Sequence, residues 1–76
     1  MKAMYFRPET FASSLKAERK KLNMKQSEFS NLVGVTQDAI SVYETGRRAP
    51  TLKVMLRIAK ALGADEVRIS TKGVKL

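Results

Sequence analysis

The side chains that can do chemistry in this chain are amides, hydroxyls, carboxylates and cations, because its 76 residues include no His and no Cys. Without imidazole or thiol groups, the usual bases and nucleophiles of hydrolytic and transfer chemistry are missing, as are the usual Cys and His metal ligands. We therefore expect no enzyme activity, no cofactor and no metal site. The remaining groups are suited to recognising a partner through hydrogen bonds and charge.

The distribution of charge favours an anionic partner. The chain carries 15 Lys and Arg against 7 Asp and Glu, a net charge of +8. All of the cations lie in residues 1–25 and 47–76, and residues 26–46 carry none. On a nucleic acid, the two flanks would contact phosphates while the cation-free middle would read base edges. Alternatively, any single cation could simply lie on a hydrated helix face and contact no partner.

The cation-free block has the pattern of two short helices joined by a tight turn. Residues 26–33 form the second helix of the chain, which ends at Gly34, a residue suited to the positive φ of a helix C-terminus. Thr36 is a good N-cap for the third helix, which runs to about Thr45. The residues expected to face inward are Phe29, Leu32, Val33, Ile40, Tyr43 and Glu44. This spacing is that of a helix-turn-helix, whose second helix enters the major groove of DNA.

Two further helices must hold this pair in place. The first is expected over residues 8–22, and the fourth begins after the N-cap Thr51 and ends at Gly63. The fourth helix carries two apolar stripes, which so small a domain can hardly bury together. The stripe expected in the core comprises Leu52, Met55, Leu56, Ala59 and Leu62. The stripe expected to face away from the core comprises Val54, Ile58 and Ala61.

Alternation over residues 66–71 predicts a C-terminal strand, which is not stable alone in water. We expect residues 1–63 to form the helix-turn-helix domain and residues 64–76 to form a dimerisation tail. In a homodimer, the strand would pair antiparallel with its symmetry mate. The dimerisation residues are then expected to be Val54, Ile58, Val67 and Ile69. In the alternative arrangement, the strand folds back onto residues 4–6 of the same chain.

Two charged residues fall on apolar stripes, Arg19 on the first helix and Glu44 on the third. An unpaired charge in such a position is strongly unfavourable. We therefore expect the two side chains to form a buried ion pair that links these helices, with a structural role.

Many individual residues resemble the lambda-repressor-like, Cro/Xre-type helix-turn-helix family. They are Gln26, Phe29, Gly34, Val35, Thr36, Ile40, Ser41, Glu44, Gly46, Pro50, Leu56, Ile58, Ala59, Ala61, Leu62 and Gly63. The resemblance implies an all-α domain of four to five short helices, here with a short C-terminal strand. It also implies a sequence-specific transcriptional regulator, most simply a repressor, that binds a palindromic operator in double-stranded DNA as a homodimer.

In related repressors, the exposed side of the third helix reads bases, which implies roles for five residues here. They are Thr36, Gln37, Asp38, Ser41 and Val42. Gln37 can hold adenine bidentately, and Val42 can contact a thymine methyl. Asp38 has two interpretations: it could accept a hydrogen bond from cytosine N4, or only favour the positive end of the helix dipole.

Phosphate contacts are expected from elements beside the reading helix. The resemblance implies that Gln26 clamps the DNA backbone at the start of the second helix. Lys25 stands where Ser or Thr usually caps, which weakens the cap but brings a cation close to phosphate. Arg47 and Arg48, in the loop after Gly46, suit a phosphate or a narrow minor groove, with solvated loop charge as the alternative.

Two segments resemble the HipB-type antitoxins. One is the C-terminal tail, and the other leads into the first helix and comprises Tyr5, Phe6, Arg7 and Pro8. This similarity implies an alternative function, an antitoxin that neutralises a protein toxin and autoregulates its operon. A third class is a bridging coactivator with weak DNA affinity. No apolar signal-peptide core or long apolar stretch occurs, so we expect a cytoplasmic protein with no membrane partner.

Overall fold

The computed structural model describes residues 3–7 and 10–69. In the described part, four short helices lie between two four-residue strands. This confirms the predicted all-α helix-turn-helix domain of four to five short helices with a short C-terminal strand. The elements in chain order are β1 (Ala3–Phe6), α1 (Phe11–Lys21), α2 (Gln26–Val33), α3 (Gln37–Glu44), α4 (Leu52–Ala61) and β2 (Glu66–Ile69).

The turn between α2 and α3 is fixed by local signals in the sequence. Gly34 has a φ of 84°, a left-handed conformation that favours glycine, and its N–H donates to the Ser30 carbonyl at 2.8 Å. Thr36 caps α3, because its Oγ1 accepts a hydrogen bond from the Ala39 N–H at 3.1 Å. The predicted helix-turn-helix spacing is therefore present.

The orientation of α4 differs from the prediction. Ile58 is 0% exposed, whereas Leu52 and Leu56 are 57% and 52% exposed. Leu52 and Leu56 lie on one helical row with Lys60, at i, i+4 and i+8, and the cations of α4 must remain hydrated. The helix is therefore turned so that this row faces water and Ile58 enters the core. The expectation that Ile58 faces away from the core, available to a second copy, is wrong.

The C-terminal strand pairs within the chain. β2 runs parallel to β1, with Ala3 opposite Glu66 and Phe6 opposite Ile69. Parallel strands need a long crossover, which the four helices supply. The alternative arrangement is therefore the one observed, and β2 has its neighbour without a symmetry mate. The rest of the predicted tail, residues 70–76, lies outside the described residues.

The core gathers one side of each helix and the N-terminal strand. Met4 and Phe6, two residues apart on one face of β1, are buried, and the ring of Phe6 stacks on that of Phe11 with centroids 4.5 Å apart. The remaining buried apolar residues are Leu15, Phe29, Val33, Ile40, Ile58, Ala59 and Leu62. Leu32, predicted to face inward, is 53% exposed. Within the described residues, no helix is both long and apolar enough to span a bilayer.

Candidate nucleic-acid interface

The outward side of α3 carries no cation of its own. Gln37, Asp38 and Thr45 are exposed, and Ser41 and Val42 are half-buried. The buried residues of the same helix lie on the opposite side and are Ile40 and Glu44. The helical period thus separates the core side of α3 from a side that offers amide, hydroxyl, carboxylate and apolar groups to a partner.

A buried ion pair fixes α3 against α1. The Arg19 Nε and Nη2 atoms donate to the two carboxylate oxygens of Glu44, at 2.7 and 3.0 Å. The Arg19 Nη1 donates to the Met24 carbonyl at 2.7 Å. The two side chains predicted to meet therefore lie together in a bidentate arrangement. The hydrogen bond to Glu44 raises the pKa of Arg19 above its ordinary value, although burial acts in the opposite direction.

Gln26, which is half-buried, also contacts this ion pair. Its Nε2 donates to Glu44 Oε1 at 3.1 Å, so its amide nitrogen is bonded inside the protein. Sequence reasoning placed Gln26 at a phosphate and missed this contact. The sequence feature that could have predicted this contact is the Glu44 carboxylate, because its two oxygens can accept more hydrogen bonds than Arg19 supplies. The contact brings the beginning of α2 next to the end of α3.

Lys25 occupies the N-cap position of α2 and is exposed. Its side chain cannot cap the helix, but its backbone N–H donates to Glu28 Oε1 at 2.9 Å. Glu28 therefore supplies half of a capping box from the third helical position, and its charge suits the positive end of the helix dipole. The Lys25 ammonium remains free to meet an anion beside the end of α3.

The loop after α3 folds back on the helix and carries two exposed cations. The Arg47 N–H donates to the Val42 carbonyl at 3.2 Å. Gly46, with a φ of 76°, permits this reversal of the chain. Arg48 contributes to a shallow concavity of about 230 Å³ on the side of α3. Its lining residues are Thr36, Asp38, Ala39, Val42, Tyr43 and Arg48.

The residues expected at a dimer interface do not form an exposed set. Ile58 is in the core, and Val54 and Val67 are partly buried against it. Ile69 is engaged through its backbone, as the partner of Phe6 in the two-stranded sheet. On α4, the large apolar side chains that are exposed are instead Leu52 and Leu56.

Comparisons with known proteins agree with this geometry. A protein-family model described as helix-turn-helix matches residues 15–69, more than half of the chain. The chain belongs to the helix-turn-helix family. It is similar to an uncharacterised HTH-type transcriptional regulator of Methanothermobacter thermautotrophicus, with 40% identity over 53 residues that span 70% of this chain and 77% of the relative.

A solved structure similar to this helix-turn-helix chain is the P22 c2 repressor in complex with synthetic operator 9T in the presence of Tl⁺. The TM-score is 0.69 and the identity is 33%, over 72% of this chain and 83% of the repressor chain. The predicted Cro/Xre-type family is therefore confirmed. Members of this family are DNA-binding transcriptional regulators rather than enzymes. The narrower similarity to HipB-type antitoxins stays a prediction.

Proposed function

We propose that this helix-turn-helix chain is a sequence-specific regulator that reads double-stranded DNA with the outward side of α3. The observation that carries the proposal is the cation-free outward surface of α3, which the buried Arg19–Glu44 pair holds in a fixed orientation. Base edges are recognised by amides, hydroxyls and carboxylates of this kind. Exposed Lys25 and Arg47 near the end of α3 support the proposal as phosphate contacts that set its register.

The proposal is tested with Gln37, an exposed amide in the first turn of α3. A preferred site is first selected from random duplexes and mapped by footprinting. The substitution Gln37→Ala should then cost about 1–3 kcal/mol on that site and relax discrimination at one base pair. Asn31→Ala, which removes an exposed amide from α2, is the matched control. An equal loss on every sequence would show that Gln37 does not read a base.

The proposal includes a homodimer that acts as a repressor on a palindromic operator. A two-fold pair of reading helices, one turn of DNA apart, would double the base pairs that are read. Leu52 and Leu56 support the dimer, because they are exposed apolar neighbours on α4. Similarity to the P22 c2 repressor supports repression rather than activation.

The dimer interface is tested by replacing Leu52 and Leu56 together with Ser and measuring sedimentation. We expect the double variant to sediment as a monomer and to lose affinity for the full palindrome while it still recognises a half-site. Leu22→Ser is the matched control, since Leu22 on the α1 side is also 44% exposed. A double variant as dimeric as the unmodified chain would place the interface elsewhere.

The alternative function, an antitoxin, makes a different prediction for the purified protein. An antitoxin would bind the protein product of an adjacent gene with high affinity, and DNA binding would be secondary. Specific operator binding without such a partner favours the regulator. A bridging coactivator would bind a protein partner without a defined operator.

A further inference from the structure

The outward side of α3 has two chemically different halves. Gln37, Ser41 and Thr45 follow one helical row, at i, i+4 and i+8, and Asp38 and Val42 follow the next. The second row borders the concavity of about 230 Å³ to which Arg48 contributes from the following loop. The concavity therefore joins a carboxylate, a guanidinium and an apolar surface beside the predicted reading residues.

The two charged groups of this concavity are both available to a ligand. Asp38 and Arg48 are exposed, and neither has an ion-pair or side-chain hydrogen-bond partner among the described residues. Asp38 is also not needed as a cap, because the hydroxyl of Thr36 already accepts the Ala39 N–H. What remains for Asp38 inside the protein is a favourable interaction with the helix dipole, which is a small contribution.

A carboxylate at a DNA interface requires a hydrogen-bond donor to offset its repulsion from phosphates. In the major groove, the exocyclic amines of cytosine and adenine supply such donors, and a carboxylate pairs well with cytosine N4. The O6 and N7 atoms of guanine accept both hydrogen bonds of a guanidinium fork. A C·G base pair presents the cytosine amine and these two guanine acceptors on a single edge. An A·T pair lacks the two adjacent acceptors on one base.

We propose that Asp38 and Arg48 together read one C·G base pair, with Asp38 accepting from cytosine N4 and Arg48 donating to guanine O6 and N7. Arg48 is then a specificity-determining residue, unlike its neighbour Arg47, which contacts phosphate. Val42 and Ala39 form the apolar floor against which the methyl of a flanking thymine packs. This inference rests on the proposed function of the α3 surface.

The first experiment compares base preference across variants. The unmodified protein is expected to prefer C·G by about tenfold at one position of the selected site. Asp38→Ala and Arg48→Ala should each reduce that preference, and at the same base pair, because each variant keeps the contact made by the other residue. Arg48→Lys, which retains the charge but not the fork, should reduce it as well. Arg47→Ala is the matched control and should weaken binding to all duplexes while the C·G preference remains.

The second experiment removes single atoms from the DNA. The C·G pair is rebuilt either with 2-pyrimidinone, which lacks the cytosine amine, or with 7-deazaguanine, which lacks N7. The unmodified protein should bind each altered duplex about tenfold more weakly. Asp38→Ala should be insensitive to the missing amine, and Arg48→Ala should be insensitive to the missing N7. Circular dichroism verifies that each variant is folded.

Several results would overturn the inference. They are a preference for A·T at the position where both variants lose discrimination, an unchanged C·G preference in either alanine variant, and an equal decrease in affinity of Arg48→Ala for all duplexes. These outcomes leave specific DNA binding intact. Failure of the proposed function is distinguishable, because the unmodified protein would then select no preferred site from random duplexes.

Discussion

At the scale of single residues, the position of α3 depends on the hydrogen bonds that the buried carboxylate of Glu44 accepts from other helices. Glu44 accepts hydrogen bonds from Arg19 and from Gln26, which belong to α1 and α2. A buried charge with such partners is tolerated, whereas the same charge without them is strongly destabilising. Because the pKa of Arg19 is raised, its guanidinium stays charged, and the contribution of Arg19 to stability is lost as the pH rises above the ordinary arginine value.

Glu44→Ala should therefore leave Arg19 buried without its counter-ion. We expect the free energy of unfolding to fall by about 3–5 kcal/mol, a large part of the stability of a domain of this size. Urea unfolding followed by circular dichroism measures the change.

The matched control for this variant is Glu66→Ala, which removes the exposed ion pair between Glu66 and Arg68. Exposed pairs contribute at most about 1 kcal/mol. If the two substitutions cost the same, the Arg19–Glu44 pair does not hold α1 and α3 together.

At the scale of elements, local signals in the sequence determined α2 and α3 but not the rotation of α4. Gly34 and Thr36 act on their own neighbours, so the predicted bounds of the two helices agree with the structure. The exposed side of α4 depends on which row of the helix contains cations and on what packs against it. Two apolar stripes alone could not decide this, and Leu52 and Ile58 were therefore assigned to the wrong sides.

Similarly, the Arg19–Glu44 pair was predictable because a charge on an apolar stripe demands a partner. The concavity at Arg48 was not predictable, because it depends on how the loop folds back on α3. The pairing of β2 with β1 is also a tertiary outcome, since nothing local in either strand selects between a partner in the same chain and one in a second copy.

The N-caps of α3 and α4 offer a test of which helix end faces DNA. Thr36 Oγ1 accepts from the Ala39 N–H at 3.1 Å, and Thr51 Oγ1 accepts from the Val54 N–H at 3.3 Å. Thr36→Ala and Thr51→Ala should each lower the free energy of unfolding by about 1 kcal/mol. Affinity for the selected site should fall only for Thr36→Ala, because the proposed function places the first turn of α3 against the bases. Equal affinities of the two variants would contradict this assignment.

At the scale of the whole molecule, the charge is organised around the cation-free surface of α3. The chain carries a net charge of +8, yet residues 26–46 contain no cation. The exposed Lys25 and Arg47 stand immediately before and after this segment, and the start of α2 contacts the end of α3. The fold thus brings the two boundaries of the segment together at one end of α3.

This arrangement predicts how DNA affinity depends on salt. A homodimer that neutralises roughly six phosphates should show a slope of log K against log salt of about −5. Lys25→Ala and Arg47→Ala should each flatten the slope by about one for every phosphate that is no longer neutralised. Titrations between low and physiological salt measure the slope. Lys16→Ala, on the exposed side of α1, is the control, and a slope unchanged in all three variants would place phosphate binding elsewhere.

The parallel pairing of β1 with β2 also bears on the order in which the chain folds. Ala3 pairs with Glu66, which follows 63 positions later, so the sheet closes a loop that contains α1 to α4. Closing so long a loop has a high entropic cost, whereas the turn between α2 and α3 joins neighbours in sequence. We therefore expect the helical hairpin to form early and the sheet late. Amide hydrogens of β1 and β2 should accordingly exchange with solvent sooner than those of α3, which would leave the helix proposed to read DNA in the most persistent part of the molecule.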